Sequence, residues 1–188
     1  MIDADEERRL LALLRGSRRD RERGLRELFE SVRQPLFGLA LRMTGRPDLA
    51  DDAVQETCVD VLRGLPGFRG DAKLTTWLFR IAVRAATRVA ARAGARIGSR
   101  RAALPEDLVD PARGPSQEAT QLDSAARILA AIHALPAPQR AVVSLTALEE
   151  LSQTEVADVL GIPVGTVYSR LHDAREQLRR SLASVRDT

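Results

Sequence analysis

Leu151-Ser152-Gln153-Thr154-Glu155-Val156-Ala157-Asp158-Val159-Leu160-Gly161-Ile162-Pro163-Val164-Gly165-Thr166-Val167-Tyr168-Ser169-Arg170-Leu171 reads as two helices joined by a tight turn. Ser152 and Glu155 have capping-box spacing, so a helix starts there. Val156, Ala157 and Leu160 are expected to face inward, and Ala157 is small enough for a close helix crossing. Gly161 supplies the left-handed turn that ends the first helix. Pro163 suits the opening of the second. Val167, Leu171, Ala174 and Leu178 then form a buried stripe. That leaves Thr166, Tyr168, Ser169, Arg170, His172, Asp173 and Arg175 outside. These side chains suit base edges and phosphates, as a helix lying in a major groove requires. An ordinary helical hairpin has the same spacing and is the competing reading. The second helix is only weakly basic, with five arginines against three acids from Pro163 to Thr188. Phosphate neutralisation supplies much of the affinity for DNA, so such a module is expected to act within a larger assembly.

Upstream of this segment the pattern is helical almost throughout. Leu25, Leu28, Phe29, Val32, Leu36, Leu39, Ala40 and Met43 recur at three- and four-residue steps. Pro35 is expected to kink or split that helix, and Gly45 with Pro47 to stop it. A second helix starts at Asp48, with Leu49, Ala53, Val54, Cys58, Val61 and Leu62 on one side. Gly64-Leu65-Pro66-Gly67 ends it in a loop running through Asp71, and a long helix follows from about Ala72 to Ala93. Residues 94–117 hold Gly94, Gly98, Pro105, Pro111, Gly114 and Pro115 without sustained periodicity and read as a linker. Helical pattern returns with Leu122, Ala125, Ala126, Leu129 and Ile132. The expected fold is all-α: two small helical domains, residues 1–93 and 118–188, joined by a flexible linker.

Composition narrows the function. Hydrophobic residues make up 44% of the 188 and aromatics only 3%, which favours helices over a β-sandwich. Cys58 is the single cysteine, so neither an intrachain disulfide nor a cysteine-based zinc site is expected. No apolar run approaches the ~18 residues of a membrane helix, and the first residues have no signal-peptide core, so a cytoplasmic protein without membrane insertion is expected. His133 and His172 are the only histidines, and neither falls in a catalytic or metal-binding spacing. No phosphate loop or nucleophile elbow is present, so no enzyme activity and no cofactor are expected.

Charge is unevenly placed although the formal net charge is only +3. From Gly67 to Arg101 there are nine basic residues against one acid, Asp71. From Ala102 to Ala126 there are five acids against Arg113. A basic block followed by an acidic one points to a segment that meets a polyanion and another that avoids or imitates one. Arg80, Arg84, Arg88, Arg92, Arg96 and Arg100 repeat every four residues. Such like charges repel by a few tenths of a kcal/mol per pair, a penalty that an adjacent phosphate backbone would remove. A solvated arginine face is the plainer alternative. Ahead of the ladder lie Phe68, Lys73, Thr75, Thr76 and Trp77. Trp77 fits a core anchor by its spacing from Ile81, and equally a stacking platform for single-stranded DNA. Asp48, Asp51, Asp52, Gln55, Glu56 and Asp60 line the face opposite Val54, Cys58 and Val61. That face is either simply solvated or a dock for a basic protein surface, with Val59 as its apolar neighbour.

Together these motifs resemble a bacterial RNA polymerase sigma factor of the compact extracytoplasmic-function group, from about Leu25 to Leu182. Asp51-Asp52-Ala53-Val54-Gln55-Glu56-Thr57 is similar to the family's core-polymerase-binding helix. Phe68-Arg69-Gly70-Asp71 and Thr76-Trp77-Leu78-Phe79-Arg80-Ile81-Ala82 are similar to its promoter-melting and minus-ten segment. Leu135-Pro136, Gln139-Arg140 and the turn at Gly161 to Leu171 are similar to its minus-thirty-five reader.

The resemblance implies a dissociable initiation subunit. Asp48, Asp51, Asp52, Gln55 and Glu56 would dock on the clamp helices of the largest core subunit. The C-terminal domain would dock on the flap of the second-largest subunit. Thr166, Tyr168, Ser169, Arg170, His172 and Arg175 would read the minus-thirty-five element of promoter DNA. Phe68, Lys73, Trp77, Arg80, Arg84 and Arg88 would bind the opened minus-ten element, where a flipped base is held. The linker, through Glu106, Asp107 and Asp110, would imitate RNA near the exit path. An anti-sigma factor is expected as a further partner. Arg84 and Arg88 depart from the family's common pattern, as do Tyr168 and Asp173, which bears on base preference. The competing function is a stand-alone helix-turn-helix regulator binding an operator as a dimer, which would leave the acidic helix and the Trp77 loop unexplained.

Overall fold

Among the described residues the chain forms eight α-helices, and local capping chemistry opens the first, the second and the seventh. The computed structural model describes residues 2–100, 117–148 and 151–183, with side chains for all of these except 96–100 and 117–124. Helix α1 spans Ala4–Arg15, and the Asp3 carboxylate accepts from the Asp5 and Glu6 amides at 2.9 and 2.8 Å. Helix α2 spans Arg18–Thr44 behind a capping box formed by Ser17 and Asp20. Helix α3 spans Pro47–Gly64, with proline at its first position, and a 3-10 turn follows at Leu65–Gly67. Helix α4 spans Leu74–Arg100 and α5 spans Gln117–Ala134. Helices α6, α7 and α8 span Ala137–Thr146, Gln153–Leu160 and Val164–Ala183.

The N-terminal module is a bundle in which α1 packs on α2, and α2, α3 and α4 pack on one another. Its core holds Leu10 and Leu14 of α1, Leu28, Val32, Leu36 and Leu39 of α2, Ala50, Ala53 and Val61 of α3, and Leu74, Leu78, Phe79 and Val89 of α4. Each fully buried leucine or phenylalanine contributes about 1.5–3 kcal/mol relative to an exposed one. In the C-terminal module α6 and α7 pack on α8 through Val142, Leu145, Val156, Val159, Val167 and Leu171. The two modules touch: α5 and α6 lie on α2, and α7 lies on α4. Arg42 of α2 donates to the Ser144 carbonyl of α6 at 3.2 Å, and burial depresses its guanidinium below the usual range. No described helix is long and apolar enough to cross a membrane.

Several expectations change. Pro35 does not split α2, which runs unbroken from Arg18 to Thr44. Val32 and Leu36 on either side of it are both buried in the core, and their burial outweighs the backbone bond that proline deletes. Gly94 does not end α4, which continues to Arg100. One glycine costs about 1 kcal/mol against alanine, and Ala90, Ala91, Ala93 and Ala95 around it are strong helix formers. The helix therefore extends into the stretch expected to be linker. On α3 the buried stripe is Ala50, Ala53, Thr57 and Val61, while Leu62 is 51% exposed. On α7 it is Val159 that is buried, whereas Leu160 is half-buried, as is Leu178 on α8. The acidic linker residues Glu106, Asp107 and Asp110 lie outside the described residues.

Candidate nucleic-acid interface

The recognition surface of the C-terminal module follows from its turn. The Ser152 hydroxyl accepts from the Glu155 amide at 3.2 Å, and the Glu155 carboxylate accepts from the Ser152 amide at 2.9 Å. Gly161 takes φ +64°, a left-handed value that glycine adopts without steric cost. The Ile162 amide then donates back to the Ala157 carbonyl at 3.1 Å, and the Pro163 carbonyl accepts from Thr166 at 2.9 Å to open α8. Because Val167, Leu171 and Ala174 are buried, α8 turns the opposite face outward. Tyr168 is 58% exposed, with Ser169, His172 and Arg175 beside it and Thr166 and Arg170 half-exposed at the edge. The Ser169 hydroxyl donates to the Thr166 carbonyl at 3.2 Å, which leaves its oxygen as an acceptor.

The second surface surrounds the start of α4. Phe68 and Trp77 are tilted partners with ring centroids 4.9 Å apart. Trp77 is half-buried and packs against the core, so the two readings of it are not exclusive. A Cβ on Gly64 would stand 3.1 Å from its ring, so glycine permits this close approach. Beside the ring a groove of about 400 Å³ is lined by Arg63, Gly64, Trp77, Ile81 and Arg84. Arg84 is exposed and has no ion pair among the described residues.

Three further rungs of the arginine ladder, Arg80, Arg88 and Arg92, have partners within the protein, as does Lys73 ahead of it. Lys73 pairs with Glu155 at 2.7 Å, and Arg80 donates to the Asp158 carbonyl at 2.8 Å. The Lys73–Glu155 contact raises the lysine's pKa and lowers that of the carboxyl. Arg88 donates to Asp60 at 2.5 Å, and Arg92 donates to Glu56. Arg80, Arg88 and Arg92 thus have partners within the protein while staying partly exposed, and the α3 carboxylates and the α7 carbonyl offset the repulsion between rungs. The side chains of Arg96 and Arg100 lie outside those described.

On α3, Asp51, Asp52 and Gln55 are exposed, and Asp48 is engaged by Arg46, whose guanidinium lowers its pKa. Glu56 differs from them, being half-buried and paired to α4. Val59 and Leu62, 43% and 51% exposed, add apolar surface along this helix. Burial raises the pKa of the half-buried Cys58 thiol, so its reactive thiolate is disfavoured.

Sequence reading missed Glu7 and Arg15 altogether, and missed the contacts that Glu155 and Asp158 make with α4. The first two belong to α1, whose signal was available in Asp3 as a cap and in Leu10 and Leu14 at helical spacing. The last two show their contact with α4 only in three dimensions.

Comparison with known proteins supplies the lineage. Residues 28–96 match the model of Sigma-70 region 2, and residues 125–178 match that of Sigma-70 region 4. The chain is 38% identical over 160 residues to the ECF RNA polymerase sigma factor SigE of Mycolicibacterium smegmatis. That alignment covers 84% of this chain and 61% of the relative. It is 30% identical over 166 residues to SigW of Bacillus subtilis, covering 85% of this chain and 89% of SigW. Among solved structures, CnrH in complex with the cytosolic domain of CnrY superposes with a TM-score of 0.70 at 26% identity. The superposition covers 95% of this chain and 97% of CnrH.

Proposed function

Since this chain belongs to the extracytoplasmic-function RNA polymerase sigma factors, we propose that it binds core polymerase and directs promoter-specific initiation. The observation that carries this reading is the order of surfaces along one chain. A region 2 module with an acidic helix and an aromatic–basic edge precedes a region 4 module with an outward-facing α8. A stand-alone regulator needs only the second, so the region 2 match sets that alternative aside.

The roles divide by chemistry. Asp48, Asp51, Asp52, Gln55 and Glu56 form the docking face for the clamp helices of the largest core subunit, with Val59 and Leu62 as its apolar part. The region 4 module rests on the flap of the second-largest subunit and presents Thr166, Tyr168, Ser169, Arg170, His172 and Arg175 to the minus-thirty-five duplex. Side chains of these types read donor and acceptor patterns in the major groove. Phe68 and Trp77, with Lys73, Arg80, Arg84 and Arg88 around them, receive the opened minus-ten strand. Stacking on an aromatic face is worth about 1–3 kcal/mol per base, enough to hold a base already out of the duplex. The protein performs no catalysis, works in the cytoplasm with the polymerase, and is restrained by an anti-sigma factor when not needed.

The test is transcription of a randomised promoter library by core polymerase with and without the protein. Enrichment of one two-part promoter class only when the protein is present is the expected result. No change in start-site selection refutes the reading.

A further inference from the structure

We propose that Glu7 and Arg15 are positioning residues for the minus-ten loop, with α1 holding both ends of residues 68–73. The inference rests on the reading of Phe68, Lys73 and Trp77 as minus-ten contacts.

Helix α4 cannot cap itself. The Lys73 carbonyl accepts the first helical bond, from the Trp77 amide at 3.0 Å, so Lys73 is the cap residue. Its side chain has donors only and cannot satisfy the free amides of the first turn. Leu74, the first helical residue, is fully buried, so water is a poor substitute partner for its amide. Glu7 fills the role from 67 positions away: its carboxylate accepts from the Leu74 amide. A negative charge there also suits the helix N-terminus.

The other end of the loop meets the same helix. Arg15 donates to the Arg69 carbonyl at 3.3 Å. Its guanidinium lies 3.4 Å from where a Cβ on Gly70 would stand, and Gly70 takes φ +88°. Glu7 and Arg15 are eight residues apart, roughly 12 Å along a helix at 1.5 Å per residue. Leu10, fully buried, and Leu14, nearly so, fix α1 in the core between them. Both contacts therefore issue from a rigid element, and the loop is strung across them. It carries Phe68 at one end and Lys73 at the other, while Trp77 sits in the first turn that Glu7 caps. Losing the cap frays that turn and displaces Trp77 and Lys73 without touching either.

The experiment uses the full chain assembled with core polymerase. It reads affinity for a single-stranded minus-ten oligonucleotide, and core association separately. Glu7→Ala and Arg15→Ala are each expected to weaken oligonucleotide binding, Glu7→Ala by roughly five- to tenfold, the scale of one lost helix cap. Core association stays at the wild-type level. Glu7→Gln keeps an acceptor oxygen and is expected to restore most of the binding. Trp77→Ala serves as the control for the underlying reading. If Trp77→Ala weakens oligonucleotide binding and Glu7→Ala does not, the positioning role is overturned. Equal loss of both readouts in Glu7→Ala also overturns it, since that is general destabilisation. If Trp77→Ala changes nothing, the minus-ten reading itself fails and the inference falls with it.

Discussion

Arg88 of α4 donates to the Asp60 carboxylate of α3 at 2.5 Å and reaches Glu56 at 3.5 Å. Arg92 joins Glu56 from the next turn. Glu56 and Asp60 of the acidic helix and Arg88 and Arg92 of the arginine ladder, assigned to different partners, therefore offset each other along a shared edge. Charge reversal on α3 should then have two distinct outcomes. Glu56→Arg sets a third guanidinium beside Arg88 and Arg92 and is expected to lower thermal stability as well as core association. The stability part is about 1 kcal/mol, as suits a half-exposed pair. Asp52→Arg, on an exposed residue with no such partner, is expected to weaken core association alone. Thermal unfolding and a core-binding titration on both variants separate the cases.

Lys73 and Glu155 join the two modules, and Arg80 adds a bond from α4 to the α7 backbone. Lys73 is largely exposed, so its pair is worth less than about 1 kcal/mol and is weakened by salt. A phosphate backbone beside α4 would compete with α7 for those donors. Raising salt from about 0.1 M to about 1 M shortens the screening length from ~10 to ~3 Å and is expected to increase the distance between α4 and α7. Glu155→Gln, which keeps an acceptor for the capping box, should show the wider spacing already at low salt. Resonance energy transfer between probes on α4 and α8 measures this. An unchanged distance in both conditions would show that the remaining contacts, the Arg42–Ser144 bond and the packing of α2 on α5 and α6, hold the modules without this pair.

Gly45 tests another inter-module contact. It takes φ +74° at the end of α2, and a Cβ there would fall 2.6 Å from the His133 ring of α5. Gly45→Ala combines backbone strain with that clash and is expected to cost about 1–3 kcal/mol. Adding His133→Ala should recover the steric part but not the backbone part. A double-mutant cycle in denaturant measures the split.

His133 also confers a pH dependence. The residue is exposed overall, but partial desolvation where the ring meets α2, reinforced by the positive charge of Arg140, lowers its pKa from 6.5, and a hydrogen bond with the Thr44 backbone opposes this only in part. The folded protein therefore binds this proton less readily than the unfolded chain does. The stability tied to neutral His133 is fully present above the unfolded pKa and is lost as pH falls through and below it. Melting temperature is expected to fall between about pH 7.5 and pH 5.5, and to fall less in His133→Gln. Equal slopes for both proteins would rule out this group as the source.

Local chemistry was legible in the sequence alone. The capping box at Ser152 and Glu155, the left-handed Gly161 and the stripe of Val167, Leu171 and Ala174 each depend on residues within a few positions. Such features set helix starts, stops and faces wherever the chain goes, so the outward face of α8 could be read directly. Pairings across the fold could not. That Glu56 meets Arg88 and Arg92, that Glu155 covers Lys73, and that Glu7 caps α4 depend on which helix lies against which. Packing of buried Leu10, Leu36 and Phe79 decides that, and an amphipathic stripe records only that a partner exists. The same packing carries α2 through Pro35 and α4 past Gly94, because burial and neighbouring alanines outweigh one residue's local preference.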